Sequence, residues 1–174
     1  MRKALAIVFV TLATALPALV LPLVVQPATA EAATPTRAER RVVAAINSER
    51  SERGLAALHF KTSLVRAARA HSSEMAKRDV LTHSCLKGWS VAQRLRYYGY
   101  KSSGYSSWTV GETLAAAPAG TGFATPKVIV SLWMDSPGHR EVLLTARFRD
   151  AGVGIRTAAD GTRYFTVDFG RRVN

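Results

Sequence analysis

The chain has 174 residues, with 24 lysines and arginines against 12 acidic residues, a net charge of +12 and a single cysteine. One cysteine excludes an internal disulfide framework, and the length suits one domain that buries roughly two-thirds of its unfolded surface without covalent help. The positive charge points to anionic partners or to a solubilised surface. Nucleic acid is not an expected partner, because no nucleic-acid motif or aromatic-basic stripe is present.

Met1-Arg2-Lys3 precedes an apolar run over 4–25, interrupted by Pro17 and Pro22, and Ala28-Thr29-Ala30 follows. This reads as a signal peptide over 1–30 that is cut after Ala30. The alternative is an uncleaved membrane anchor, since the run is nearly long enough to span a bilayer. Residues 31–36 form a short leader, with 31–35 expected to be disordered, and one domain occupies 37–174.

Thr36 and Glu39 make a capping box for a first helix over 37–53, stopped by Gly54, with Val42, Val43 and Ile46 inward. Leu58 in the following connector is expected in the core. Thr62 caps a second helix over 63–78, where Leu64, Ala68, His71 and Met75 share a face and Glu74 pairs with Arg78. A polar segment carrying His83 and Cys85 follows; the lone thiol is either buried or free to pair with another chain. Ser90 and Gln93 form a second capping box, opening a short helix that ends by Gly99. Residues 108–115 are a strand or a short irregular segment, and 116–124 are a loop. Thr125-Pro126 starts a fourth helix to 134 with Val128, Ile129, Leu132 and Trp133 inward. Residues 139–144 add one or two helical turns. Segments 151–155 and 164–169 flank Asp160-Gly161 as a β-hairpin. Helices first and a hairpin last imply an α+β or layered α-β-α fold.

No nucleophile elbow, paired zinc-protease histidines, phosphate loop or dinucleotide fingerprint occurs. His83, Glu112 and His139 remain, each beside turn-forming residues at the end of an apolar segment. Two imidazoles and a carboxylate make a competent zinc set with an open water position; without metal they make a hydrogen-bonded cluster that pins loops together. His71 is either a satisfied core residue or part of the floor of the same cleft.

In order, Ile46-Asn47 through Arg53-Gly54-Leu55, Ala67-Ala-Arg-Ala-His71-Ser72, Thr82-His83-Ser84, Val110-Gly111-Glu112, Trp133-Met-Asp-Ser-Pro-Gly-His-Arg140 and Gly152-Val-Gly-Ile155 resemble the CAP superfamily (cysteine-rich secretory, antigen 5 and pathogenesis-related 1 proteins) in its bacterial secreted branch. The resemblance implies a three-layer α-β-α sandwich with a largely antiparallel sheet. It also implies a cleft lined by His83, Glu112 and His139, with His71 and Ser136 nearby, where some relatives hold zinc or another divalent cation. Others bind sterols, fatty acids or proteins elsewhere on the domain. Two departures stand out: Thr113 replaces the usual Asn, and Ser136, beside Asp135, stands where a second cleft carboxylate is expected. The implied function is a secreted, non-catalytic binding module for an anionic envelope polymer, a lipid or an extracellular protein. A zinc-dependent hydrolase and a purely structural envelope protein are the alternatives.

Overall fold

The computed structural model describes residues 34–174, so the expected signal peptide and the first part of the leader lie outside the described residues. Five helices and four strands follow one another: α1 (Arg37–Ser51), β1 (His59–Phe60), α2 (Thr62–Arg78), α3 (Val91–Tyr97), β2 (Ser107–Pro118), α4 (Pro126–Asp135), α5 (Pro137–Leu143), β3 (Asp150–Thr157) and β4 (Thr162–Val173). The sheet order is β1-β3-β4-β2, with β1 parallel to β3 and the other pairs antiparallel.

Strand alternation sends successive side chains to opposite faces, and here it sorts the core into two halves. On β4, Phe165, Val167 and Phe169 pack with the buried residues of α1, α4 and α5. Tyr164, Thr166 and Asp168 face the other way. Tyr164 clusters with Met75 of α2, the Ser72 hydroxyl bonds Thr166 at 2.8 Å, and Asp168 meets Arg94 of α3. The result is the expected α-β-α sandwich, with α2 and α3 on one face and α1, α4 and α5 on the other.

Both capping boxes form as expected, and Thr125 caps α4 with proline in its first turn. Glu39 also takes a bidentate pair from Arg69 at 2.7 and 2.8 Å, tying the start of α1 to α2. Arg69 reaches the carbonyl of Thr34 at 2.8 Å, and Arg40 that of Pro35, so residues 34–35 are held rather than disordered.

Four further expectations shift. Thr62 is the first residue of α2, and Lys61 is the cap, without a side-chain bond. The buried stripe of α4 is Ile129, Val130, Trp133 and Met134; Leu132 is 50% exposed, so the inward face is rotated by about one residue, which is 100° on a helix. Strand β2 continues three residues beyond the expected segment, to Pro118. Proline is tolerated there because β2 is an edge strand and needs no ladder donor on its free side. Strand β4 runs to Val173, four residues past the expected 169.

Helix α2 lies almost directly on the backbone of β3. A Cβ on Gly152 would stand 2.1 Å from the carbonyl carbon of Leu64, and one on Gly154 2.3 Å from that of Ala68. Neither neighbour is the movable end of a side chain. Gly152→Ala is therefore expected to cost at least the upper end of the about 1–3 kcal/mol typical of overpacking. Gly138→Ala, where a Cβ meets nothing within 4 Å, is expected to stay within about 1 kcal/mol of the parent. Urea denaturation of the two variants measures the difference.

Candidate functional site

Register places Glu112 of β2 directly opposite Asp168 of β4, both on the α2–α3 side of the sheet. Both carboxylates are buried, Asp168 completely. Like charges directly opposite repel, and here they have lost most of their water. Arg94 answers this from α3: its Nη2 bonds Glu112 Oε2 and lies 3.3 Å from Asp168 Oδ1. The capping box at Ser90 and the buried Leu95 fix the short helix that aims this guanidinium. One cation cannot fully support two anions, and burial followed by repulsion from Glu112 raises Asp168 well above the usual carboxylate range. Burial and Glu112 thus push Asp168 toward its neutral form, while Arg94 lies closest to Glu112.

The same array holds the polar segment after α2. His83 Nδ1 donates to Glu112 Oε1 at 2.7 Å, and Arg94 Nη1 donates to the His83 carbonyl at 3.2 Å. The hydrogen bond to Glu112 raises the His83 pKa, more than partial desolvation lowers it. The His83 side chain is 59% exposed, so its outer edge remains open to a ligand.

His139 comes from α5, which packs on β2. Its Nδ1 lies 2.9 Å from Ser136 Oγ, so Ser136 orients this imidazole instead of supplying a charge. Desolvation lowers the His139 pKa, and the positive charge of His83 lowers it further. The charge of His83 thus acts on His139, with the first ring favouring imidazolium and the second the neutral form. His71 is 1% exposed. Its Nε2 faces the Thr82 carbonyl at 2.7 Å and must donate to it, which fixes the tautomer and pins the segment carrying His83. Desolvation, then Arg94, lowers its pKa. Its contribution to stability is complete above the ordinary histidine pKa and is lost as pH falls through the depressed folded value.

The structure thus joins His83 to Glu112 and His139 to Ser136, and sets His71 behind them. Sequence reading missed Arg94 and Asp168. A second carboxylate does stand opposite Glu112, but it is the fully buried Asp168 of β4 and not a residue near Ser136; Asp135 is exposed. Its signal was an acid inside the uniformly buried run Tyr164-Phe-Thr-Val-Asp-Phe-Gly170.

A three-ligand zinc centre does not fit this arrangement. Both Glu112 oxygens are engaged, by His83 and Arg94, which leaves the Nε2 atoms of His83 and His139. Among the described residues no group of three or more His, Cys, Asp or Glu side chains is arranged to hold a metal. A concavity of about 570 Å³ lies elsewhere, between α1 and α4, and is bordered by Arg41, Ala45, Lys127 and Val130.

Residues 43–169 match the family model described as the cysteine-rich secretory protein family, CAP. The chain belongs to this family. An uncharacterised CAP-family relative, YkwD of Bacillus subtilis, is 34% identical over 136 residues, covering 74% of this chain and 49% of its own. The chain therefore spans about half the length of that relative. The CAP fold is shared with an outer surface protein of Borrelia burgdorferi (TM-score 0.64, 23% identity, 76% of this chain and 91% of that one). It is shared too with an extracellular SCP-domain protein of Bacillus anthracis (TM-score 0.59, 24% identity, 76% of this chain and 40% of that one).

Two outcomes follow from the CAP site. In a histidine NMR titration, His83 is expected to protonate above, and His139 below, the ordinary histidine pKa. Glu112→Gln should lower the His83 midpoint; an unchanged midpoint would remove Glu112 as its cause. Arg94→Met leaves Glu112 and Asp168 facing each other and is expected to cost about 3–5 kcal/mol. Part of that loss should return in Arg94→Met/Glu112→Gln/Asp168→Asn, read by chemical denaturation.

Proposed function

We propose that this CAP protein is a secreted, non-catalytic binding module whose His83–Glu112–His139 cleft receives an acidic group of an envelope polymer, a lipid or an extracellular protein. The observation that carries this reading is the commitment of the cleft carboxylate. Glu112 is held on one oxygen by Arg94 and on the other by His83, so it is not free to act as a general base or a metal ligand. General acid–base chemistry needs a positioned group able to exchange protons with the substrate, and the one hydroxyl beside a histidine here, Ser136 Oγ at 2.9 Å from His139 Nδ1, is not backed by a carboxylate on His139 among the described residues. What the cleft offers is recognition: a half-exposed imidazole biased toward its charged form, and a second ring beside it. An acidic group suits both, and the net charge of +12 favours its approach. A signal peptide over 1–30 would deliver the domain outside the cell. No helix of the described residues is long and apolar enough to cross a membrane.

A second reading is favoured by one observation. His71 and Arg94 both bond carbonyls of the Thr82–His83 segment, as a purely structural staple would. Retention of the protein on isolated cell walls or anionic liposomes separates the two. Binding predicts that His83→Ala/His139→Ala loses most retention while its stability stays within about 1 kcal/mol of wild type, as for exposed substitutions. It also predicts that wild-type retention strengthens as pH falls through the raised His83 pKa. A fall in melting temperature with unchanged retention would leave the staple. Calorimetric titration with zinc is expected to give no saturable heat in either protein; saturable binding lost in the double variant would favour a divalent-metal hydrolase instead.

A further inference from the structure

A second hollow of about 230 Å³ sits between α2, α3 and the segment that joins them. Its polar boundary includes His71 and Arg94, only 1% and 2% exposed. Each has one polar atom with no protein partner among the described residues: His71 Nδ1 and Arg94 Nε. Their chemistry is complementary. The His71 Nε2 proton is committed to Thr82, so Nδ1 is an acceptor, while Arg94 Nε–H is a donor. Buried polar groups of this kind are rarely left unpaired in folded proteins, and here the two residues that carry them border one hollow.

The remaining boundary is aromatic. Trp89 and Tyr97 are tilted at 49° with centroids 4.9 Å apart, and Tyr98 meets Tyr97 edge-on at 5.1 Å. Tyr97 is 64% exposed. The two most enclosed charges around the hollow, Arg94 and Glu74, are each paired. Arg94 is neutralised by Glu112, and Glu74 is held by Arg78 and by the Leu86 backbone N–H. The Lys87 ammonium lies over the Trp89 and Tyr97 rings, at 4.5 and 5.2 Å.

We propose that this hollow binds a single neutral, hydroxylated six-membered ring, one sugar residue, with its C–H face against the Trp89–Tyr97 wall and a hydroxyl directed at His71 and Arg94. A hydroxyl is the smallest group that donates and accepts at once, as this pair requires. The volume falls below the roughly 300–1,000 Å³ of sites for larger ligands, leaving room for one ring. An anion would find Glu74 on the boundary, Arg94 already paired with Glu112, and the Lys87 ammonium engaged by the Trp89 and Tyr97 rings. A purely apolar ring would leave the two buried polar atoms as they are. This site does not depend on how the His83–His139 cleft is used.

Cys85, the only thiol, borders the same hollow and reports on its occupancy. The full chain is treated with methyl methanethiolsulfonate in the presence of N-acetylglucosamine, methyl glucoside, phenol or inorganic phosphate. A sugar at about ten times its dissociation constant should slow Cys85 modification about tenfold, as the unliganded fraction falls. Protection should disappear in Trp89→Ala and in Tyr97→Ala, whose side chain is largely exposed and whose loss leaves the fold intact. Calorimetry with the same sugars on wild type and Tyr97→Ala gives an independent reading, with saturable heat only in wild type. Absence of both protection and heat for either sugar up to its solubility would overturn the proposal. So would protection by phosphate or phenol alone, or sugar protection equal in wild type and Tyr97→Ala.

Discussion

Two carboxylates stand opposite each other inside a sheet, and a single guanidinium makes that tolerable. The register of β2 on β4 brings Glu112 and Asp168 together; nothing about either strand relieves their repulsion. Arg94 supplies the missing charge from another layer, so α3 must sit where it does for the sheet to keep its acids buried. The consequences spread outward. The same guanidinium holds the His83 carbonyl, Glu112 orients the His83 ring, and the charge of His83 reaches His139 on α5. A buried ion pair of this kind contributes little net stability compared with an apolar core, but losing one member is severe. Its role here is to fix arrangement.

A second interior arginine works differently. Arg50 is fully buried near the end of α1, and its nitrogens bond the carbonyls of Ala56, Leu143, Thr145 and Phe148. It has no carboxylate partner among the described residues. Four backbone dipoles solvate the cation and, in return, hold the turn between α5 and β3. Five donors in a planar fork make arginine suited to such a task. Arg94 organises the α2–α3 side and Arg50 the opposite side, so the C-terminal end of α5 and the polar segment after α2 refer back to interior cations.

Local signals carried well into the structure. Capping boxes at Thr36 and Ser90, proline after Thr125 and the Asp160-Gly161 turn are chemistry among near neighbours, and each marks its element. His83, Glu112 and His139 stood out because polar residues in turns between apolar runs have few other uses. Arg94 and Arg50 were not legible in the same way. On a short helix a charged residue reads as a solvent face, and only three-dimensional proximity to carboxylates or carbonyls makes it interior. Asp168 was visible as an acid in an apolar strand, but its meaning needed the pairing with Glu112. Leu132 failed for a simpler reason: in a ten-residue helix with many apolar positions, two neighbouring stripes are nearly equivalent, and packing against α1 and α5 selects between them.

The close approach of α2 to Gly152 and Gly154 has a mechanical consequence. Most helix–sheet interfaces are cushioned by side chains, whose rotamer changes can absorb small displacements. At these two positions backbone meets backbone, and the Ser72 hydroxyl bonds the Gly154 carbonyl at 2.9 Å, so this cushion is absent. The helix retains sliding as its softest coordinate, while tilting drives main chain into main chain. His71, three residues beyond Ala68, inherits that stiffness. Any local movement around His83 and His139 is therefore left to the segment bearing His83 and to α5, while α2 moves only as the sheet moves.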